Sequence, residues 1–561
     1  MTRYRWIEPR PILASGYALN DSPLLCEIAA RRGFITPESV EGFLSPDLMK
    51  LSDPYLLPDM QLAVERITGA IDSEQLIGIF GDYDVDGITS TAVLKRAIDM
   101  LGGKALTYLP HRMRDGYGLN IAAIDRMVAD GVSLLVALDC GTSDTAEIAH
   151  AHAAGLRTVV VDHHHVGQSK LPNTAFVSAQ RADSEFPFQQ LAAVGVTYNL
   201  VRALLGEERA SRLLPLVALG TVADVVPLVG ENRTLVSHGL RRFAADAVLG
   251  LQRLAQHAGL DPTHISSYHC GYILGPRINA AGRMAEPDIA LELLLTNDRC
   301  RADELAEKLG KLNTQRQQSV RTMLEEADEK VRQRGDDLPF FVVGGAGWSV
   351  GLVGLVAGRL TERYYRPSLA LSVGDEVSRG SARSIEGFNI AEALHECSNL
   401  LLEHGGHSQA AGLSLRTADV PALEARLIEL AEATFGDTVP VKSVTIDAEL
   451  AGLEVNLATA RLLTTLEPFG SGNPAPRFML RSVKVRSPRR TRDGKHVQFD
   501  LETAEGSVAR AIFFDGAARL LDLHSRDPFD LLLELKLDNW RGKAQLKVEV
   551  LDFRPTEPLS V

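Results

Sequence analysis

A chain of 561 residues is too long for a single hydrophobic core, and about three or four domains are expected. Its 45% hydrophobic and 23% charged residues suit a globular protein, and five scattered cysteines without a CxxC pair exclude a disulfide framework and a thiolate zinc site. The net charge of −13 does not advertise a nucleic-acid partner, so the question becomes where Lys and Arg cluster.

The N-terminus, MTRYRWIEPR, is charged and leads into no apolar run, so no signal peptide is expected. The most apolar long stretch, residues 213–230, is broken by Asp224 and Pro227 and reads as a buried helix plus loop rather than a membrane span. A cytoplasmic protein with no membrane partner is expected.

Residues 1–45 read as a short helical segment. From there to residue 287 the pattern is α/β and doubly wound. LIGIF, SLLVAL and TVVV are predicted as buried parallel strands, with STAVLKRAIDML and AAIDRMVADG as helices between them. Residues 288–337 are polar with sparse apolar positions, which predicts an exposed connecting helix or helix pair. A second α/β domain is predicted for 338–440, holding the helix VGLVAGRLTERYY and the glycine-rich EHGGHSQAAG. Residues 441–561 read as short strands and hairpins, with an OB-fold β-barrel as the leading candidate.

The sharpest chemical signal is GDYDVDG, which places Asp82, Asp84 and Asp86 directly after the strand LIGIF. Three alternating carboxylates repel one another unless a cation neutralises them. A solvated acidic turn or a calcium loop shares this spacing. Further groups change the balance: SLLVAL ends at Asp139, TVVV ends at Asp162 followed by His163, His164 and His165, and LVALGTVAD ends at Asp224. Strand C-termini of an open parallel sheet converge on one crevice, so these groups can meet in space. Carboxylates with imidazoles and no thiolate suit Mn²⁺ or Mg²⁺. Their number suggests two ions about 3.5–4 Å apart, the spacing that clamps attacking and leaving oxygens in phosphoryl chemistry.

The DHH sequence at 162–164, with the upstream aspartates, Asp139 and Asp224, resembles the DHH phosphoesterase superfamily; four separated motifs occur in its order. The resemblance implies metal-ligand or supporting positions for Asp82, Asp84, Asp86, Asp139, His163, His164 and Asp224. Which of the first three aspartates only supports stays open, and His165 lies outside the motif.

Five further motifs, PHRMRDGYGLN at 110–120, RINAAGRM at 277–284, GSARS at 380–384, GGHSQAAG at 405–412 and EPFGSGNPAP at 467–476, resemble the RecJ family, so that the likeness covers nearly the whole chain. Arginine forks suit phosphate oxygens, glycines let backbone N–H groups approach them, and an aromatic ring stacks on an unpaired base. The resemblance implies that Arg112, Ser381 and Arg383 hold a 5′ phosphate and that Tyr117 stacks on a nucleotide. It also implies that Arg277, Asn279, Arg283, Gly405 and Gly406 contact DNA, and that His407 lies near the scissile bond.

It further implies a single-stranded-DNA-specific 5′→3′ exonuclease of repair and recombination, releasing 5′-mononucleotides with two Mn²⁺ or Mg²⁺ ions. On this view 46–287 is catalytic, 338–440 binds substrate and 441–561 binds nucleic acid. The implied partners are a single-stranded-DNA-binding protein and a repair helicase, and the implied state is monomeric. The alternatives are a relative acting on small substrates such as cyclic dinucleotides, or an inactive scaffold. The clustered charge lies between residues 481 and 495, where Arg481, Lys484, Arg486, Arg489, Arg490, Arg492 and Lys495 face the single acid Asp493.

Overall fold

The structure, a computed structural model, describes every residue except 1–2, 10–21, 113, 117, 168–170, 336, 437, 439, 504, 507, 526, 541–542 and 557–561. It divides into two compact units, Leu48–Pro440 and the pair of segments Met1–Asp47 and Val441–Val561.

In the first unit, β1 (Leu76–Gly81), β2 (Lys104–Tyr108), β3 (Val132–Leu138), β4 (Arg157–Val161) and β5 (Thr174–Val177) form a fully parallel sheet in the order β2-β1-β3-β4-β5. Alternate side chains serve opposite faces. Ile77, Ile79, Leu134, Val136, Val159 and Val161 enter the larger core, whereas Phe80, Leu135, Ala137 and Val160 enter a second core on the other face. A sheet buried on both sides needs helices on both sides, which is why these strands read as continuous apolar runs.

The larger core is closed by α1 (Val85–Met100), α2 (Ala193–Leu205) and α3 (Leu214–Ala223). The apolar stretch singled out in the sequence is α3, buried throughout Leu214–Thr221. α4 (Gly275–Met284) follows, and then α5 (Arg299–Arg334), a single helix of 36 residues capped by the Asp298 side chain, which accepts from the Arg301 N–H.

The expected connecting helix is present with an exposed outer face, but its inner face is buried at both ends. Ala302, Leu305, Ala306 and Leu309 pack into the larger core, while Val320, Met323, Ala327 and Val331 pack into a separate core with α6 (Val350–Tyr364). Each stripe is short and the two are separated by polar residues, so the apolar signal is diluted over about 54 Å of helix.

A second, mixed sheet contains β6 (Phe341–Ala346), β7 (Ser368–Val373), β8 (Val377–Arg383), β9 (Glu403–His407) and β10 (Ala410–Arg416) in the order β9-β10-β8-β7-β6. Only β6 and β7 pair in parallel, and β9 is an exposed edge strand.

In the second unit, β11 (Phe478–Arg490), β12 (Val497–Glu502), β13 (Val508–Phe513), β14 (Phe529–Trp540) and β15 (Lys543–Pro555) close into a barrel, because β14 pairs with both β11 and β15. The N-terminal helices Pro23–Arg31 and Pro37–Leu44 contribute Leu25, Ile28 and Phe43 to the barrel's own core. They are therefore an integral cover of this unit. The buried carboxylate of Asp552 anchors the entering chain, accepting from the Arg3 N–H at 2.8 Å and the Trp6 indole at 3.0 Å. Among the described residues no helix is long and apolar enough to cross a membrane.

Candidate metal centre and phosphate cradle

Every carboxylate predicted from the sequence for this site reaches it from the end of a secondary-structure element. Asp82 follows β1. Asp84 caps α1, its side chain accepting from the N–H groups of Asp86 and Gly87 at 2.9 and 3.1 Å. Asp139 follows β3 with φ 61°, a left-handed conformation that aspartate tolerates better than most residues. His163 and His164 follow β4. Asp224 ends a helix, α3, rather than a strand. That difference explains why LVALGTVAD carries no strand signature although its last residue joins the group.

Side chains distant in sequence converge. Three sets offer ligand atoms within 4.8 Å of one another: Asp82, Asp84 and Asp139; Asp139, His163 and His164; and Asp86, His163 and Asp224. His163 Nε2 lies 3.4 Å from Asp139 and 4.0 Å from Asp86, and its Nδ1 lies 3.8 Å from Asp224. Asp139 and His163 each belong to two sets, so the sets form one continuous centre. His165 is exposed outside it.

The electrostatics are those of carboxylates that a cation would neutralise. Burial, reinforced by neighbouring carboxylates, raises Asp82 and Asp139 well above the ordinary carboxylate range. Burial with Asp84 raises Asp86 to about 7, and burial with Asp86 and Asp84 raises Asp224 to about 9. Among the described residues, Asp82 Oδ1 is buried without a hydrogen-bond partner. Burial and the charge of His164 push His163 down to about 4, leaving a neutral imidazole with a lone pair to give. Hard oxygens, neutral imidazole and an unsatisfied buried carboxylate oxygen fit Mn²⁺ or Mg²⁺.

Two groups behave differently from the rest. The Asp86 oxygens accept the N–H groups of Ala193 and Val194, at 2.7 and 2.8 Å, at the start of α2. Asp162, the first residue of the DHH triplet, faces the cluster indirectly. Although burial opposes ionisation, hydrogen bonds from His164 and Thr142 hold it well below the usual carboxylate range. Its contacts are His164 Nδ1 at 2.7 Å and Thr142 Oγ1 at 2.6 Å. Asp162 thereby fixes the His164 ring, whose Nδ1 also lies 3.9 Å from Asp139, and raises its basicity. Thr142 was not singled out in the sequence; its only signal is its place just after Asp139.

A group of arginines stands beside the carboxylates. Arg112 lies over the Tyr83 ring, 5.1 Å from its centroid. Burial, then the charges of Arg112 and Arg316, push Arg283 down to about 9; burial and Arg112 likewise lower Arg383. Arg383 donates to Ser381 Oγ at 2.9 Å and to the Ala382 carbonyl, and Arg283 donates to the Gly351 carbonyl at 2.9 Å. None of these bonds is to an acid.

The glycine face of α6 permits this approach. A Cβ at Gly354 would stand 3.1 Å from Ser381 Oγ and 3.2 Å from the Arg383 guanidinium, and one at Gly351 would stand 3.2 Å from the Arg283 carbonyl. Sequence reasoning passed over these glycines, whose i, i+3 spacing inside VGLVGLVAG was the available clue. Arg112, Arg283 and Arg383 make no ion pair within 4.0 Å among the described residues, and such a group of cations is suited to phosphate.

The remaining predicted residues are dispersed. Arg277 and Asn279 are half-buried on α4, and Arg277 donates to the Ile273 carbonyl at 2.7 Å. Arg114 is spent on a surface pair with Glu286 at 3.2 Å. Gly405, Gly406 and His407 lie on the exposed strand β9, outside the three metal-ligand sets. Gly406 has φ 148° and no room for a Cβ, whereas Gly405 faces open space. Tyr117 lies outside the described residues.

In the barrel, Arg481 is consumed by Glu8 and Glu449, and Arg486 by Glu502. In EPFGSGNPAP, buried Asn473 donates to the Leu466 and Pro468 carbonyls, both at 2.9 Å, and so serves its own loop.

Comparison with known proteins identifies the domains that carry these residues. Residues 76–221 match the N-terminal domain of the DHH family, residues 337–435 the DHHA1 domain and residues 446–552 the RecJ OB domain. The chain is 35% identical to the single-stranded-DNA-specific exonuclease RecJ of Bacillus subtilis, over 99% of this chain and 71% of that protein. It is 34% identical to the Escherichia coli enzyme of the same name, over 95% and 96% of the two chains. The crystal structure of RecJ in complex with Mn²⁺ from Thermus thermophilus superposes with a TM-score of 0.86 at 29% identity, covering 99% of this chain and 80% of that one. By sequence, domain content and fold, the chain belongs to the RecJ family of single-stranded-DNA-specific exonucleases.

Proposed function

We propose that this protein hydrolyses single-stranded DNA from its 5′ end, releasing 5′-mononucleotides with the help of two Mn²⁺ or Mg²⁺ ions. The observation that carries the reading is the joining of two features in one unit: a continuous carboxylate–imidazole centre, and an arginine cradle in which Arg283 and Arg383 donate to carbonyl and hydroxyl oxygens rather than to acids.

Asp82, Asp84 and Asp139 would hold one ion, and Asp86, His163 and Asp224 the other, with His164 completing the group around Asp139. Ions bound there acidify a water molecule and neutralise charge on the phosphate. The protein's own contributions can be stated separately. Asp162 and Thr142 orient His164. Arg383 with Ser381, and Arg112 braced on Tyr83, would receive the terminal 5′ phosphate and so set which bond lies over the metals. Arg277 and Asn279 on α4 would position the following backbone, and Tyr117 would stack on a nucleotide. His407 and the backbone N–H groups around Gly405 and Gly406 would approach the scissile phosphate from β9.

The division into a catalytic segment at 46–287, a connecting helix at 288–337, a substrate-binding segment at 338–440 and an OB domain at 441–561 belongs to the same proposal. So do action in repair and recombination beside a single-stranded-DNA-binding protein and a helicase, a monomeric state and a cytoplasmic location, which the family resemblance supports.

The test is digestion of one oligonucleotide labelled at either end, with Mn²⁺ added. A 5′ label should leave at once as mononucleotide, while a 3′ label should pass through progressively shorter fragments. Early release of the 3′ label, or cleavage within the strand, would refute the assigned direction. Asp139→Ala should abolish release while leaving the fold intact.

A further inference from the structure

Two tyrosines outside the motifs form a second feature of the α4 region. Ser267–His269, the π-helical turn Cys270–Leu274 and α4 follow one another without a break. Cys270 and Leu274 point into the core, 1% and 0% exposed. Tyr268 and Tyr272 occupy the opposite face, 61% and 71% exposed, and their rings stack with centroids 5.0 Å apart and planes 25° from parallel. Large aromatics left this open to water lose the benefit of burial, and a stacked pair on a rigid helix is pre-shaped to receive another flat ring. A π-turn inside a helical run is itself uncommon and recurs at functional sites.

The position of the pair indicates what the ring would be. Gly271, between the tyrosines, lies against α3, where an added Cβ would stand 3.4 Å from Val222, two residues before Asp224. Val225, just after Asp224, is also exposed, at 67%. At the other end of the same helical run, Arg283 stands with Arg112 in the cradle, and Arg277 lies between. From Tyr272 to Arg283 the helix advances about 16 Å. The run therefore has an arginine end beside the Asp82 and Asp84 side of the centre and a tyrosine end beside the Asp224 side.

The geometry points to Tyr268 and Tyr272 as a stacking platform for bases of the single strand lying 3′ of the bond being cut. This rests on the nuclease reading above and adds a binding site to it. With the 5′ phosphate held at the arginine end, the strand still to be degraded leaves past Asp224 and meets the tyrosine pair. Stacking is tolerant of sequence, because every base has a flat face, and so suits an enzyme that must accept each nucleotide in turn.

The test is binding of a fluorescent oligothymidylate in Ca²⁺, read by anisotropy, alongside steady-state digestion in Mn²⁺. The double variant Tyr268→Ala with Tyr272→Ala should bind about tenfold more weakly. Its KM should rise by a similar factor, with kcat and hydrolysis of a dinucleotide unchanged. Tyr268→Phe with Tyr272→Phe should restore both. An oligonucleotide with abasic sites 3′ of the first bonds should bind the wild type as weakly as the alanine variant binds the intact strand, and should cost that variant nothing more.

Unchanged binding in the alanine variant, or equal loss in the phenylalanine variant, overturns the platform. The binding arm reads this whether or not mononucleotides are released. Failure of the wild type to release them would instead overturn the nuclease reading.

Discussion

Asp86 and Ala193 are joined across 107 residues of sequence by a 2.7 Å hydrogen bond from the Ala193 N–H to the buried Asp86 carboxylate, and the neighbouring Val194 N–H occupies the other oxygen. One side chain thus belongs to the metal centre and closes the buried N-terminal end of α2. Asp86→Ala should cost folding stability as well as activity, on the order of 2–3 kcal/mol, because two buried N–H groups lose their acceptor. Asp86→Asn keeps one acceptor oxygen and should retain most of the stability while losing activity. Denaturant melts of both variants without metal, beside their turnover in Mn²⁺, check this; equal stability of the alanine variant and wild type would contradict the capping role.

Asp82 predicts the opposite sign. Among the described residues its Oδ1 is buried and unsatisfied, and burial, then the charge of Asp84, raise the group well above the ordinary carboxylate range. Asp82→Asn removes a group that the metal-free fold accommodates poorly, so the metal-free variant should melt a few degrees above metal-free wild type. Saturating Mg²⁺ should reverse the order, since only the wild type gains from ion binding there. Calorimetry of both proteins with and without Mg²⁺ measures all four values.

These contrasting roles show where sequence reading stopped. The strands carrying Asp82, Asp139 and Asp162 were legible because burial on both faces leaves an uninterrupted apolar run ending in an acid. The four-residue strand Thr174–Val177 was too short to stand out, and Asp224 arrives on a helix. The cluster's membership was legible from motif order; the capping duty of Asp86 was not, because it depends on where a helix more than a hundred residues later begins. The arginine cradle was readable as separate motifs, but its closeness depends on Gly351 and Gly354, whose purpose emerges only once α6 is packed against Arg283 and Arg383. The tail of basic residues after 481 looked uniform in sequence, yet acids from other strands cancel part of it.

Protonation gives a pH prediction. Asp224 and Asp86 are raised from an ordinary 3.8 to about 9 and about 7, so the metal-free folded chain retains protons that the unfolded chain has released. Stability from these groups is complete below about pH 4 and is lost as pH rises through 7 and 9. His163, lowered from 6.5 to about 4, has the opposite slope, losing stability as pH falls between those values. Above about pH 6.5 the carboxyl slope remains, and His164, raised against burial by its bond to Asp162, slopes the same way. The metal-free melting temperature should therefore fall between pH 7 and 9, while the Mg²⁺-bound protein stays level, and Mg²⁺ binding near pH 7 should release protons. Calorimetry in buffers of different ionisation enthalpy counts them; a metal-free protein whose stability climbs over that range would contradict the raised carboxyls.

Arg383 should govern recognition of the strand end. Its guanidinium is tethered by Ser381 Oγ and the Ala382 carbonyl, and burial with Arg112 weakens its hold on its proton, so an arriving phosphate would be its missing counter-charge. Arg383→Ala should raise KM for a 5′-phosphorylated oligonucleotide about ten- to a hundredfold, the worth of a charge-assisted hydrogen bond. Digestion of the same strand ending in a 5′ hydroxyl should change little. Arg383→Lys keeps the charge but loses the fork and should fall between. If wild type and Arg383→Ala discriminate equally between the two ends, the cradle serves another phosphate.

The barrel's charge offers a separate measurement. On and beside β11 and β12, Arg486 is paired with Glu502, whereas Lys484, Arg489, Arg492 and Lys495 make no ion pair within 4.0 Å among the described residues. If these four track a DNA backbone, replacing each by Gln should weaken binding of any sequence alike, and each phosphate interaction removed should reduce the slope of log affinity against log salt by about 0.7, the value for single strands. Arg486→Gln should leave the slope nearly unchanged, because its charge is already balanced. Binding titrations at several salt concentrations, with cleavage suppressed in Ca²⁺, separate the cases; a slope insensitive to all five changes would remove this face of the barrel from the path of the strand.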